Sequence, residues 1–167
     1  MRAPLVAIAL LALAPFAVVA RADTPLPPPA VKVSTSSGGT VRAVSDPRTN
    51  TTRIEVIATG KLLWTLPGWH RWVRVSDDGR HAVTEYGNLI PVDHDAGMVL
   101  ITLWREGKKV REVTLKELVP APAVLKRTAS HYHWGDVEQI DAQGRLAVRR
   151  ADGQLFRFDM ETGSRVR

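Results

Sequence analysis

The 167 residues predict an all-β chain made of two to three four-stranded antiparallel meanders. Three observations carry that expectation. No amphipathic helix of useful length follows Val31; the one candidate, Leu115 to Val119, is stopped by Pro120 and Pro122. Short β-branched or aromatic runs, punctuated by glycine turns, occupy the chain instead. Finally, one stretch of the chain repeats another.

The turns are Ala58-Thr59-Gly60, Asp77-Asp78-Gly79, Arg105-Glu106-Gly107, Ala142-Gln143-Gly144, Ala151-Asp152-Gly153 and Glu161-Thr162-Gly163. In each, Gly supplies the positive φ that a tight hairpin demands. The runs between them predict strands over Arg53–Ala58, Lys61–Leu66, Trp72–Ser76, His81–Tyr86, Met98–Arg105, Val110–Leu115, Val137–Ile140, Leu146–Arg149 and Gln154–Asp159. Met98–Trp104 is apolar on both faces, the pattern of a strand buried in the middle of a stack of sheets.

The repeat aligns VSDDGRHAV (75–83) with IDAQGRLAV (140–148), and the same offset superposes Trp69 on Trp134. Leu103 through Gly107 to Arg111 then matches Phe158 through Gly163 to Arg167, at a shorter offset that places an insertion around Gly87–Gly97. A fainter first copy runs from Ser37 through Gly60 to Leu66. Each unit is a four-stranded meander. Such a unit resembles the blade of a β-propeller, and Ser76 to Arg80 looks like the turn of WD40-like repeats. GWHRW, VSDDGR, GNLIP and SHYHW together resemble an uncharacterised family of exported bacterial proteins. The propeller resemblance implies a binding scaffold at least as often as an enzyme. Closed propellers take about four to eight blades. Three meanders at most must therefore stack within a monomer, associate with another copy, or shield an open edge with the linker; a compact stack is the expectation.

At the start of the chain, Arg2, the uncharged apolar run Leu5–Ala20 and the small residues of Ala20-Arg21-Ala22 form a secretory signal. Pro4 and Pro15, with a run shorter than the roughly 20 residues of a spanning helix, speak against a membrane anchor. The expected organisation is a signal peptide over 1–22, a Pro-rich linker over 23–30 and one all-β domain over 31–167. Cleavage after Ala20 is the alternative. Localisation is expected to be periplasmic or secreted, in a bacterium. With no cysteine, neither a disulfide framework nor a lipid-bearing cysteine is available. Removing Arg2 and Arg21 takes 23 basic residues to 21 against 17 acidic ones, so the net charge falls from +6 to +4. The remaining basic residues are scattered along strands, and the export signal argues against nucleic acid as a partner.

Trp69, His70, Asn88, Asp93, His94, Asp95, His131, Tyr132 and Trp134 are the candidate ligand-binding residues. Gly68–Trp72 and Ser130–Trp134 hold three of the five Trp residues and occupy equivalent places in the repeat. They read either as an aromatic, His-lined groove for a sugar or peptide, or as scaffold packing between units. The insertion from Tyr86 to Gly97 is the stronger pointer because its counterpart lacks it, and loops added to a rigid scaffold commonly carry recognition. It also reads as a plain connection whose Leu89-Ile90-Pro91 tucks into the core. His131 and His133 share a strand face and are the weak candidates for a metal, with no known ligand spacing around them. Asp77 and Asp78 sit in a Gly-terminated turn, where Asp caps its own backbone. No nucleophile elbow and no phosphate loop occurs.

The expected function is therefore an exported, non-catalytic bacterial binding domain without a cofactor. Its partner would be an envelope protein or glycan, and association into a homo-oligomer is open. One alternative is a metal-dependent or hydrolytic enzyme centred on His70, His131, His133 and Asp93. The other is a structural subunit of a larger β assembly.

Overall fold

The structure is a computed structural model that describes residues 26–121 and 125–167. The expected signal peptide and the first residues of the linker lie outside the described residues.

Three four-stranded antiparallel sheets follow one another along the chain, each ordered as it is connected. The first holds β1 (Lys32–Thr35), β2 (Val41–Asp46), β3 (Thr51–Val56) and β4 (Leu62–Pro67). The second holds β5 (Trp72–Val75), β6 (His81–Glu85), β8 (Val99–Arg105) and β9 (Lys108–Thr114). The third holds β12 (Gly135–Ile140), β13 (Arg145–Arg150), β14 (Leu155–Asp159) and β15 (Arg165–Val166). The first strands of successive sheets approach one another, β1 and β2 against β5 and β5 against β12. The faint first copy is thus a full meander, and none of the sheets closes on itself.

The turns form as their residues dictate. Glu106 and Gly107 both take positive φ, at 47° and 82°, which is the hairpin geometry that matches strand twist. Asp78 caps its own turn, accepting from Ser76 Oγ at 2.5 Å and from the Arg80 amide at 2.9 Å. Asp77 does something else: its Oδ1 accepts from the Gly38 amide, at 2.6 Å, in the equivalent turn of the preceding sheet. Thr40 Oγ1 donates to the Asp77 carbonyl at 2.7 Å. The expectation that Asp77 caps its own backbone is corrected here, because the repeat stacks one Gly turn against the next. Leu115–Leu118 is a single helical turn (α1), begun by a capping box between Thr114 and Glu117.

Two apolar layers hold the stack. Val41, Ala43, Ile54 and Leu66 of the first sheet meet Val73, Val75 and Ala82 of the second. Val83, Ile101, Leu103 and Val113 face the other way, against Val137, Leu146, Val148, Phe156 and Phe158 of the third. Register explains the division: Ala82 lies opposite Trp104 and Val83 opposite Leu103, so alternate residues of the middle sheet serve opposite neighbours. This is why the β8 sequence is apolar on both faces. Each large side chain fully buried here contributes about 1.5–3 kcal/mol.

Charged pairs lie across the two outer faces of the stack. On the first sheet, Glu55 accepts from Arg42 at 3.0 Å and from Arg53 at 2.8 Å. On the third, Arg149 pairs with Glu138 at 2.8 Å. Among the described residues, no helix is long and apolar enough to cross a membrane.

Candidate functional site

A fourth, three-stranded sheet was not predicted, and it joins two of the segments singled out in the sequence. Leu89–Pro91 (β7), inside the insertion, pairs antiparallel with His131–His133 (β11), which pairs in turn with Lys126–Arg127 (β10). The register sets His131 opposite Pro91, Tyr132 opposite Ile90 and His133 opposite Leu89. Trp134 anchors the arrangement. Its ring is fully buried, its indole N–H donates to the Gly87 carbonyl at 2.6 Å, and its amide donates to the Asn88 carbonyl at 3.2 Å. Gly87 comes so close that a Cβ there would lie 2.8 Å from the Trp72 ring. Ile90 is buried as well, so the insertion is both tucked into the core and exposed along its crest.

On this small sheet the polar side chains order one another. His94 meets Tyr132 edge-on, with ring centroids 5.8 Å apart, while its Nδ1–H donates to the Pro91 carbonyl at 3.0 Å. Asp136 is held from two sides, by Asn88 Nδ2 at 3.3 Å and by His133 Nε2 at 3.3 Å. The His131 ring lies 2.8 Å from Ser130 Oγ. Asp93 is exposed, and Asp95 turns its carboxylate back onto the Gly97 amide at 2.7 Å. The structure therefore brings together Asn88, His94, His131, Tyr132, His133 and Trp134.

Trp69 and His70 stand apart. The Trp69 indole N–H donates to the Ala30 carbonyl at 2.8 Å, and the His70 amide donates to Ser45 Oγ at 2.7 Å. His70 Nε2–H donates to the Pro67 carbonyl at 3.0 Å, and burial pushes the His70 ring below its ordinary pKa. Repeat-equivalent tryptophans thus do different work: Trp134 is core and Trp69 is half-buried at the surface. Among the described residues, no three His, Asp or Glu side chains gather as they would around a metal ion.

Between the second and third meanders, beside the small sheet, lies a cleft of about 120 Å³. Trp72, Arg74, Glu85, Asn88, Trp134 and Asp136 line it. Arg74 Nε donates to Glu85 Oε1 at 2.8 Å, and the Glu85 side chain is only 7% exposed. Burial raises the Glu85 pKa above its ordinary 4.5, Arg74 opposes the shift, and the nearby Asp136 charge adds to it. Neither Arg74 nor Glu85 was singled out in the sequence. The signal for them is register: with the Ser76–Gly79 turn fixing Val75 opposite Ala82, Trp72 falls opposite Glu85 and Arg74 becomes its diagonal neighbour.

Because the folded pKa of Glu85 lies above its unfolded value, its contribution to stability is complete below about pH 4.5 and is lost as pH rises through the folded value. Glu85→Gln removes that titration. Urea unfolding across pH 4 to 8 is expected to show the variant gaining on the native chain as pH rises. A difference that does not vary with pH would disprove the assignment.

No family model and no curated protein matches the chain. Solved structures do resemble it. The WD40 repeats of RRP9 match with a TM-score of 0.45 at 9% identity, over 83% of this chain and 38% of that one. The β-propeller domain of Cps50 (Swd1) from Myceliophteria thermophila matches with a TM-score of 0.39 at 14% identity, over 81% and 39%. Hydrazine synthase from Kuenenia stuttgartiensis follows at 0.36 and 12%, over 81% and 35%. The chain thus spans well under half the length of each. Within each meander the strands lie in the order in which they are connected, and the first strands of successive meanders adjoin. The meanders are blade-like: each is four-stranded and antiparallel, and none closes on itself. In blade terms, the cleft opens where the first strands of the second and third blades adjoin, beside the residues that lead into the small sheet.

Proposed function

We propose that this chain is an exported binding domain of a bacterial envelope, with its recognition surface on the small sheet beside the second and third blades. One observation carries the reading: the insertion found in one repeat alone is paired, residue by residue, with the His131–His133 segment. That pairing converts a loop into a rigid rim on which Asn88, His94, Tyr132 and Asp136 are already oriented, so little ordering entropy opposes association. The rim is polar and aromatic, a chemistry suited to a glycan or to a polar face of an envelope protein.

The test combines location and binding. Mass measurement of the periplasmic form in a bacterial host is expected to begin at Asp23. The purified domain should retain an envelope glycan or protein. The triple variant Asn88→Ala, His94→Ala, Tyr132→Ala, with an unchanged melting midpoint, should retain it at least about tenfold less well, a loss of roughly 1.4 kcal/mol. Equal retention by the variant, or a full-length chain held in the cytoplasm, would refute the proposal.

A further inference from the structure

On a second surface, which shares Trp72 with the cleft beside that rim, the chain binds its own proline-rich segment. Pro27, Pro28 and Pro29 fix φ near −65° and hold this stretch extended, with no internal hydrogen bonds and its carbonyls open. Two donors take up those carbonyls. Arg71 Nη2 donates to Pro27 O at 2.6 Å and Trp69 Nε1 donates to Ala30 O at 2.8 Å. The acceptors are three residues apart, one turn of a polyproline II helix, so they present along one edge.

The donors are also held by neighbours other than the segment. The Arg71 guanidinium lies between two indoles, 5.0 Å from the Trp69 ring centre and 5.7 Å from that of Trp72. The Trp69 amide donates to Asn50 Oδ1 at 2.9 Å. Residues 26–30 remain exposed, so no strap side chain is buried. Recognition runs through backbone carbonyls and an aromatic, cationic ledge, the chemistry by which proline-rich ligands are read elsewhere.

We infer that Trp69, Arg71 and Trp72 form a binding site for an extended proline-rich segment of a partner protein, and that residues 27–30 occupy it as an internal competitor. The strap is tethered within two residues of β1, so its effective concentration is on the order of millimolar or higher. A partner segment must overcome that competition.

The test is a titration of the peptide LPPPAV, followed by the Trp69 indole N–H signal in nitrogen-15 NMR spectra, with Trp69→Phe assigning the signal. In the chain carrying Pro27→Gly, Pro28→Gly and Pro29→Gly, the peptide is expected to shift that signal at roughly tenfold lower concentration than in the native chain. Arg71→Ala, added to the glycine strap, is expected to abolish the shift. No shift in the glycine-strap variant at ~5 mM peptide, or an equal shift from GGSGAV, would overturn the inference. So would a native dimer in light scattering that the glycine strap abolishes, since the strap would then exchange between two copies.

Discussion

Trp134→Ala is expected to destabilise the chain by about 3–5 kcal/mol, the cost of emptying a fully buried aromatic site. The loss of the indole donor adds to this, because the Gly87 carbonyl is left buried without its 2.6 Å partner. A melting midpoint lower by roughly 10 °C or more should follow. The position also joins the small sheet to the core through both its ring and its amide. The variant should therefore lose order in residues 87–91 and 131–133 before the blades open, which hydrogen exchange resolves. Trp134→Phe refills most of the ring volume and should recover most of the stability without the Gly87 contact. An alanine variant that melts with the native chain would show that Trp134 is not the anchor described here.

Gly135→Ala is the second large effect, and a single methyl group produces it. An added Cβ would lie 2.4 Å from the Arg149 carbonyl oxygen and 2.9 Å from the Arg150 Cα, both backbone atoms of the paired strand β13. Neither can swing aside as a side chain would. Strands β12 and β13 must part at this end, where Gly135 pairs with Arg150, and the loss should reach roughly 3 kcal/mol or more. Gly144→Ala is the matched control. Its φ of +70° carries only the left-handed penalty of about 1 kcal/mol, since nothing lies within 4 Å of an added Cβ. Urea unfolding of the pair is decisive: similar losses at the two positions would rule out the steric account.

Both substitutions fall at one junction, and that junction was only half legible. Gly turns and alternating runs located every long strand of the second and third blades to within two residues. Each of those signals is local: a positive φ needs Gly, and a strand with one buried face needs a period of two. The repeat also foretold two equivalent units and, more faintly, a third, because the turns at Ser36–Gly39, Ser76–Gly79 and Asp141–Gly144 each end on a Gly before the next strand.

The small sheet was not legible, for a physical reason. Leu89–Pro91 and His131–His133 are three residues each, too short for a periodic pattern, and 39 residues separate the first from the second. Which segment a three-residue strand pairs with depends on where the blades carry its ends, and no local preference encodes that. The same holds for Glu85 and Arg74, whose charges look like ordinary solvated strand residues until the third blade covers them. It holds again for Trp69 and Trp134. Equivalent positions in the repeat made them look interchangeable, yet one supports the strap and the other seals the core.

Residues and their spacing were enough to establish the class of the fold, its turns and the blade as its unit. The stacking of one blade on the next settled which side chains meet. A turn or strand depends on torsions a few residues apart, whereas the cleft and its rim exist only where the first strands of successive blades adjoin and exclude water together.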